Sequence, residues 1–95
     1  MLKVKRSKRS FVVEYGYVWD DQHYVGSWTG HLTAQRAWFG DWADHAASGG
    51  PPHWRGDALL VEGRQGGLRF LSGTWQWTSP KAKRPRHHPW LLVLP

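Results

Sequence analysis

Aromatic side chains recur with a period of two along FVVEYGYVW, residues 11–19. Every second residue has an apolar side chain and these share one face, which holds Phe11, Val13, Tyr15, Tyr17 and Trp19. A period of two is typical of a β-strand with one buried face. Asp20 and Asp21 predict a turn, and HYVGSWTGHL after it predicts a second strand. Together the two strands predict a β-hairpin.

The period changes in TAQRAWFGDWADHAAS, residues 33–48. Four apolar residues recur there at a spacing of four: Ala34, Trp38, Trp42 and Ala46. This spacing predicts one stripe on an amphipathic helix. Thr33 is a suitable N-cap, and Gly49, Gly50 and the two prolines that follow predict the end of the helix.

The remaining pattern predicts more strands. DALLVEG and LRFLSGTWQWT form a third and a fourth around a Gly-Gly turn, and WLLVL forms a fifth, edge strand or a docking peptide. The expected fold class is therefore α+β: a mostly antiparallel sheet of four to five strands, in the order β-β-α-β-β, with one helix packed on one face. Four segments follow: a basic N-terminal arm (1–10), an α+β core domain (11–79), a basic proline-rich loop (80–89) and an apolar C-terminal strand or docking peptide (90–95).

Composition predicts a single domain with a rich core. The chain has 95 residues, among them eight Trp, three Tyr and three Phe, and each aromatic side chain can bury about 150–250 Å². With no cysteine, disulfides and thiolate metal sites are excluded. No segment approaches the roughly 18 apolar residues of a membrane span. We therefore expect a protein that is not secreted, does not bind membranes and is cytoplasmic, or nuclear in a eukaryotic host.

Positive charge is concentrated at the two ends of the chain. The net charge is +6, and the middle of the chain holds only four of the 13 cations together with all seven carboxylates. Such an uneven distribution suits a polyanion such as DNA or RNA. The expected phosphate contacts are Lys3, Lys5, Arg6, Lys8, Arg9, Lys81, Lys83, Arg84 and Arg86.

Aromatic side chains on a sheet face are candidates for stacking on unpaired bases. If the first and last long strands are neighbours, one face could present Tyr15, Tyr17, Trp75 and Trp77. The competing interpretation is that these side chains pack beneath the helix, which carries Trp38 and Trp42 as well.

Signals for catalysis and metal binding are weak. The chain has no nucleophile motif, no Gly-rich phosphate loop followed by Lys and no paired-carboxylate signature. Asp41 and His45 are spaced for one helix face, but no third ligand accompanies them, so a surface ion pair is favoured over a metal. We expect no enzyme activity, no metal and no cofactor.

These observations predict a non-enzymatic nucleic-acid-binding accessory protein that grips phosphates with two basic arms. The alternative is a small inhibitor or subunit, for example phage-encoded, that docks on a larger protein such as a nucleic-acid-processing enzyme. Trp, Tyr and Arg dominate interface energies. Docking would then use the apolar C-terminal residues Trp90, Leu91, Leu92, Val93 and Leu94.

Overall fold

A computed structural model describes residues 2–79 and 87–95, and these residues form one antiparallel β-sheet of seven strands. The strands are long, and several alternate buried with exposed positions over most of their length. Their bounds are β1 Leu2–Arg6, β2 Ser10–Trp19, β3 Gln22–Ala34, β4 Ala37–Ala46, β5 Trp54–Gln65, β6 Leu68–Ser79 and β7 His88–Val93.

The order of the strands in the sheet is their order in the chain. Each strand therefore pairs with its sequence neighbour, and the sheet curls into a half-barrel. In such a meander the connections alternate between the two ends. The connections β1–β2, β3–β4 and β5–β6 lie at one end. The connections β2–β3 and β4–β5 lie at the other end, where β6 ends and β7 begins.

The core fills the inner, concave face of the half-barrel. Phe11 and Val13 of β2, Trp28 of β3 and Leu60 of β5 are fully buried there. The Trp28 indole N–H donates to two backbone carbonyls, those of Gly40 (3.2 Å) and Ala58 (3.3 Å). A buried indole thus keeps its hydrogen bond while its ring removes apolar surface from water.

The α+β prediction is wrong, because the described residues contain no helix. The segment predicted as a helix, 33–48, contains β4 instead. A spacing of four is also an even spacing, so Trp38 and Trp42 share a strand face as readily as a helix face. In the sheet Trp42 lies opposite Trp28 and Trp38 lies opposite Leu60, and the intervening Phe39 and Asp41 point outward and are exposed.

Part of the segment predicted as a basic arm belongs to the sheet. Residues 2–6 form β1, which pairs with β2 along its whole length. Leu2 and Val4 pack against the core while Lys3 and Lys5 remain exposed. No helix of the described residues has the length and apolar character needed to cross a membrane.

Candidate functional site: an aromatic cleft

A cleft of about 640 Å³ opens on the inner face at the end where β2 meets β3 and β6 leads to β7. Its volume lies within the range of about 300–1,000 Å³ that is usual for ligand pockets. Strands that are distant in sequence contribute to it because the sheet curls. The aromatic lining consists of Tyr15, Tyr17, Trp19, Trp42, Trp54, Trp75, Trp77 and Trp90.

Tyrosines form one wall of the cleft. Tyr15 and Tyr17 follow each other on the inner face of β2, with ring centroids 6.3 Å apart and nearly parallel planes. Tyr17 also stacks on Tyr24, its cross-strand partner on β3, at 5.5 Å. Tyr15 and Tyr17 line the cleft, whereas Tyr24 is buried and does not. We call Tyr15 and Tyr17 the tyrosine wall.

Tryptophans form the facing wall. Trp75 meets Trp77 edge to face at 4.7 Å and Trp42 edge to face at 5.5 Å. We call these three residues the tryptophan wall. His88 of β7 stacks on Trp75 at 4.5 Å. Trp90 of β7 belongs to neither group and meets Tyr15 edge to face at 5.4 Å.

A single carboxylate, Asp44, lies in this aromatic lining with 7% of its surface exposed. Its Oδ1 accepts a hydrogen bond of 2.5 Å from the Tyr15 hydroxyl, and its Oδ2 accepts one of 2.6 Å from the Tyr17 hydroxyl. A buried carboxylate is tolerated when such donors replace water. Each oxygen retains a further lone pair, so Asp44 can accept additional N–H or O–H groups.

The tyrosine hydroxyls act as donors in this arrangement. Burial raises the pKa of Tyr15 and of Tyr17 well above the ordinary value of 10.0, and the hydrogen bonds to Asp44 and its negative charge raise both further. Both phenols therefore remain protonated at neutral pH. The geometry needs this protonation, since an acceptor-only carboxylate cannot bond to a phenolate.

The structure brings the four predicted stacking residues together. Tyr15, Tyr17, Trp75 and Trp77 all line the cleft, although β2 and β6 are separated by three strands in the sheet. They meet through the curl of the sheet rather than as a flat open face. Trp77 is the most accessible of the four, with 38% of its surface exposed.

The predicted phosphate contacts are divided. Lys3 and Lys5 project from the outer face of β1, whereas Arg6 points inward and forms an ion pair of 3.1 Å with Glu62. Lys8 and Arg9 lie in the β1–β2 connection, at the end opposite the cleft. The remaining four residues lie outside the described part of the chain: Lys81, Lys83, Arg84 and Arg86.

The five predicted docking residues alternate between the two faces of β7 and its continuation. Trp90 and Leu92 line the cleft, and Leu94 is buried. Leu91 and Val93 point outward with 64% and 50% of their surfaces exposed. On the outer face Leu91 of β7 lies opposite Ser72 of β6, which in turn lies opposite Val61 of β5.

Sequence reasoning missed Asp44, because 33–48 was interpreted as a helix and its even positions were not recognised as one strand face. The available signal was a lone carboxylate at the same even spacing as Trp38, Gly40 and Trp42. Trp19, Trp42 and Trp54 were also missed as cleft residues. They lie on three different strands and share the cleft only because the seven-stranded sheet curls, which no local pattern indicates.

Comparison of the chain with protein-family models, with curated proteins and with solved structures finds no match. Function is therefore inferred from the chemistry of the cleft and from the distribution of charge around it. Among residues 2–79 and 87–95, no group of three His, Asp or Glu side chains is placed to hold a metal ion.

Proposed function

We propose that this protein binds single-stranded nucleic acid, without catalysing a reaction on it, by seating an unpaired base in the aromatic cleft. One observation carries the proposal: Tyr15, Tyr17, Trp75 and Trp77 converge on a single cleft from strands far apart in the sheet. Stacking of a base on an aromatic side chain stabilises a complex by about 1–3 kcal/mol and tolerates any sequence.

Asp44 gives the cleft a polar contact for such a base. Bases present ring N–H and amino groups on their pairing edges, and these are exposed only when the base is unpaired. A carboxylate whose tyrosine partners hold it in place can accept them at little further entropic cost. The cleft thus combines apolar faces for the ring with an acceptor for its edge.

Several cations are close in the sequence to residues that line the cleft. Four of them fall between Ser79, where β6 ends, and His87, directly before β7. Lys3 follows Leu2, which lines the cleft from β1. Asp20 and Asp21, in the β2–β3 turn, repel phosphates, so we expect the sugar-phosphate backbone to lie on the β1 and β7 side.

The test is binding of fluorescently labelled oligo-dT, which forms little structure of its own, measured by anisotropy at low salt. Trp77→Ala should weaken binding by about tenfold, because it removes one stacking platform. Trp77→Phe should retain most of the affinity. A duplex of the same length should bind more weakly than the single strand, since its bases cannot enter the cleft.

The control is Leu91→Ser with Val93→Ser on the outer face, which should leave binding unchanged. Equal affinity of Trp77→Ala and the unaltered protein for oligo-dT would contradict the proposal. Loss of binding in the outer-face variant instead would place the nucleic-acid contact on that face and would also contradict the proposed role of the cleft.

A further inference from the structure

Three hairpin connections place cations at the end of the half-barrel opposite the cleft. Lys8 and Arg9 lie in the β1–β2 connection, Arg36 lies in the β3–β4 turn, and Arg64 and Arg69 flank the β5–β6 turn. We call these five residues the basic end. Four of the five are exposed, and Arg69 is half-buried.

Backbone hydrogen bonds hold this end in place. The Leu32 N–H donates to the Arg9 carbonyl (3.2 Å), the Glu62 N–H to the Arg36 carbonyl (2.8 Å) and the Leu94 N–H to the Arg69 carbonyl (2.8 Å). Each connection is thereby attached to a strand outside its own hairpin. The cations project from an ordered surface and not from a free tail.

Negative charge at this end is already engaged. The carboxylate closest in sequence to the basic end is Glu62, which lies two residues before Arg64 on β5. Its Oε1 accepts from the Trp38 indole at 2.8 Å and pairs with Arg6 at 3.1 Å. The Arg6 guanidinium also lies 5.7 Å from the Trp38 ring. The side-chain carboxylate closest to the basic end is therefore already paired with a cation that is not part of that end.

Two features of the basic end oppose folding. Arg64 and Arg69 lie directly opposite each other in the β5–β6 ladder, and like charges in that position are destabilising. Arg36 adopts φ 62°, a left-handed conformation that disfavours any side chain relative to Gly. A bound polyanion would reduce the repulsion between Arg64 and Arg69. It would also contact the cation that Arg36 carries in its left-handed conformation.

Lys3 and Lys5 connect the two ends of the molecule. Both are exposed on the outer side of β1, an edge strand that runs from the cleft to the basic end. Along this edge Lys3 and Lys5 are two residues apart, and Lys8 and Arg9 follow in the β1–β2 connection.

We propose that the basic end is a second phosphate-binding surface, reached by the same single strand that enters the cleft and then follows β1. The inference rests on the proposed function for the identity of the ligand, but not for the existence of the surface. The longest dimension of the molecule is 35 Å, about the length of ten nucleotides in one strand of a B-form duplex at about 3.4 Å each, so a single strand of twelve nucleotides is long enough to span it.

The experiment compares a four-nucleotide with a twelve-nucleotide oligo-dT. Only the longer one can reach both surfaces, so we expect it to bind the unaltered protein about a hundredfold more tightly, as for two linked contacts. Replacing Lys8, Arg9, Arg36 and Arg64 together by Gln should abolish this advantage and leave the four-nucleotide affinity unchanged. The matched control keeps the charge: Lys8→Arg with Arg9→Lys, Arg36→Lys and Arg64→Lys should retain the advantage.

The possible outcomes separate the two proposals. If the twelve-nucleotide strand keeps its advantage in the four-Gln variant, or has none in the unaltered protein, the second surface is refuted while the cleft stands. If the long strand loses its affinity in the four-Gln variant but neither length responds to Trp77→Ala, the basic end stands and the cleft does not. Melting temperatures of all variants exclude loss of folding as the cause.

Discussion

The Tyr15 hydroxyl donates a hydrogen bond to Asp44, 29 positions away in the chain, by reaching across a strand that lies between them. Tyr15 is on β2 and Asp44 is on β4. The residue between them on β3 is Gly26, which lies opposite both in the sheet. A side chain at that position would occupy the space that the carboxylate and the phenol ring now share. The polar centre of the cleft therefore depends on a glycine.

Gly26→Ala should destabilise the protein by about 1–3 kcal/mol, the usual cost of forcing an extra methyl group into a filled site. A Cβ at this position would overlap both Asp44 Oδ1 and the Tyr15 ring. Gly16→Ala is the matched control, since its Cβ would meet only ordinary contacts, the closest at 3.6 Å. Urea unfolding measures both. Equal stability of the two variants would show that the Gly26 site can relax.

Asp44→Ala should lower the free energy of unfolding by about 1–3 kcal/mol, because it leaves the buried Tyr15 hydroxyl without an acceptor. Tyr15→Phe removes the donor. If the hydrogen bond is the cause, the double variant should be less destabilised than the sum of the two single variants. Additive losses in this double-mutant cycle would mean that the two residues stabilise the fold independently.

Alkaline pH should destabilise the protein more than it destabilises a variant without the two phenols. The pKa values of Tyr15 and Tyr17 are raised in the folded state, first by burial and then by Asp44. Above the ordinary tyrosine value of 10.0, the unfolded chain releases protons that the folded chain retains. The free energy of unfolding must therefore fall as pH rises beyond that value.

The measurement for the pH prediction is urea unfolding at neutral pH and above pH 10 for the unaltered protein and for Tyr15→Phe with Tyr17→Phe. Lysines also lose protons in this range, but they do so in both proteins. The comparison therefore isolates the tyrosines. An identical loss of stability in the two proteins would contradict a raised pKa for these phenols.

Arg36→Gly should stabilise the fold by about 1 kcal/mol, because Gly adopts the left-handed conformation without the steric penalty of a Cβ. Gln35→Gly is the matched control. Gln35 does not have a positive φ, so Gly there should destabilise by about 0.5–1 kcal/mol through backbone entropy. Thermal unfolding distinguishes the two. A gain in stability accompanied by weaker binding of long oligo-dT would indicate that Arg36 is retained for contact with the ligand.

Several strands could be predicted from the sequence because their alternation is a local property. The alternation in residues 11–19 predicts a strand, and the structure has β2 at Ser10–Trp19. DALLVEG and LRFLSGTWQWT lie within β5 and β6. The helix prediction failed at Trp38 and Trp42, where a spacing of four fits both periods. Only their cross-strand partners, Leu60 and Trp28, distinguish the two.

The candidate site could be predicted in part. The sequence indicates Tyr15, Tyr17, Trp75 and Trp77 as candidates for stacking because the two strands that carry them could be neighbours and present one open face. Asp44 could not be recognised, since its burial depends on the curl of the sheet and on Gly26 of another strand. The sequence also could not indicate that Arg6 forms an ion pair with Glu62, 56 residues later in the chain; its predicted contact with phosphate stays a prediction.

By itself, the sequence determined the period of most strands, the aromatic richness of the core and the concentration of cations near both ends of the chain. These are properties of neighbouring residues, which the chain carries before it folds. Tertiary structure decided that β4 is a strand, that eight aromatic side chains share one cleft with Asp44, and that five cations lie at the opposite end of the sheet. Each of these depends on pairing between distant segments, whose energy no local pattern contains.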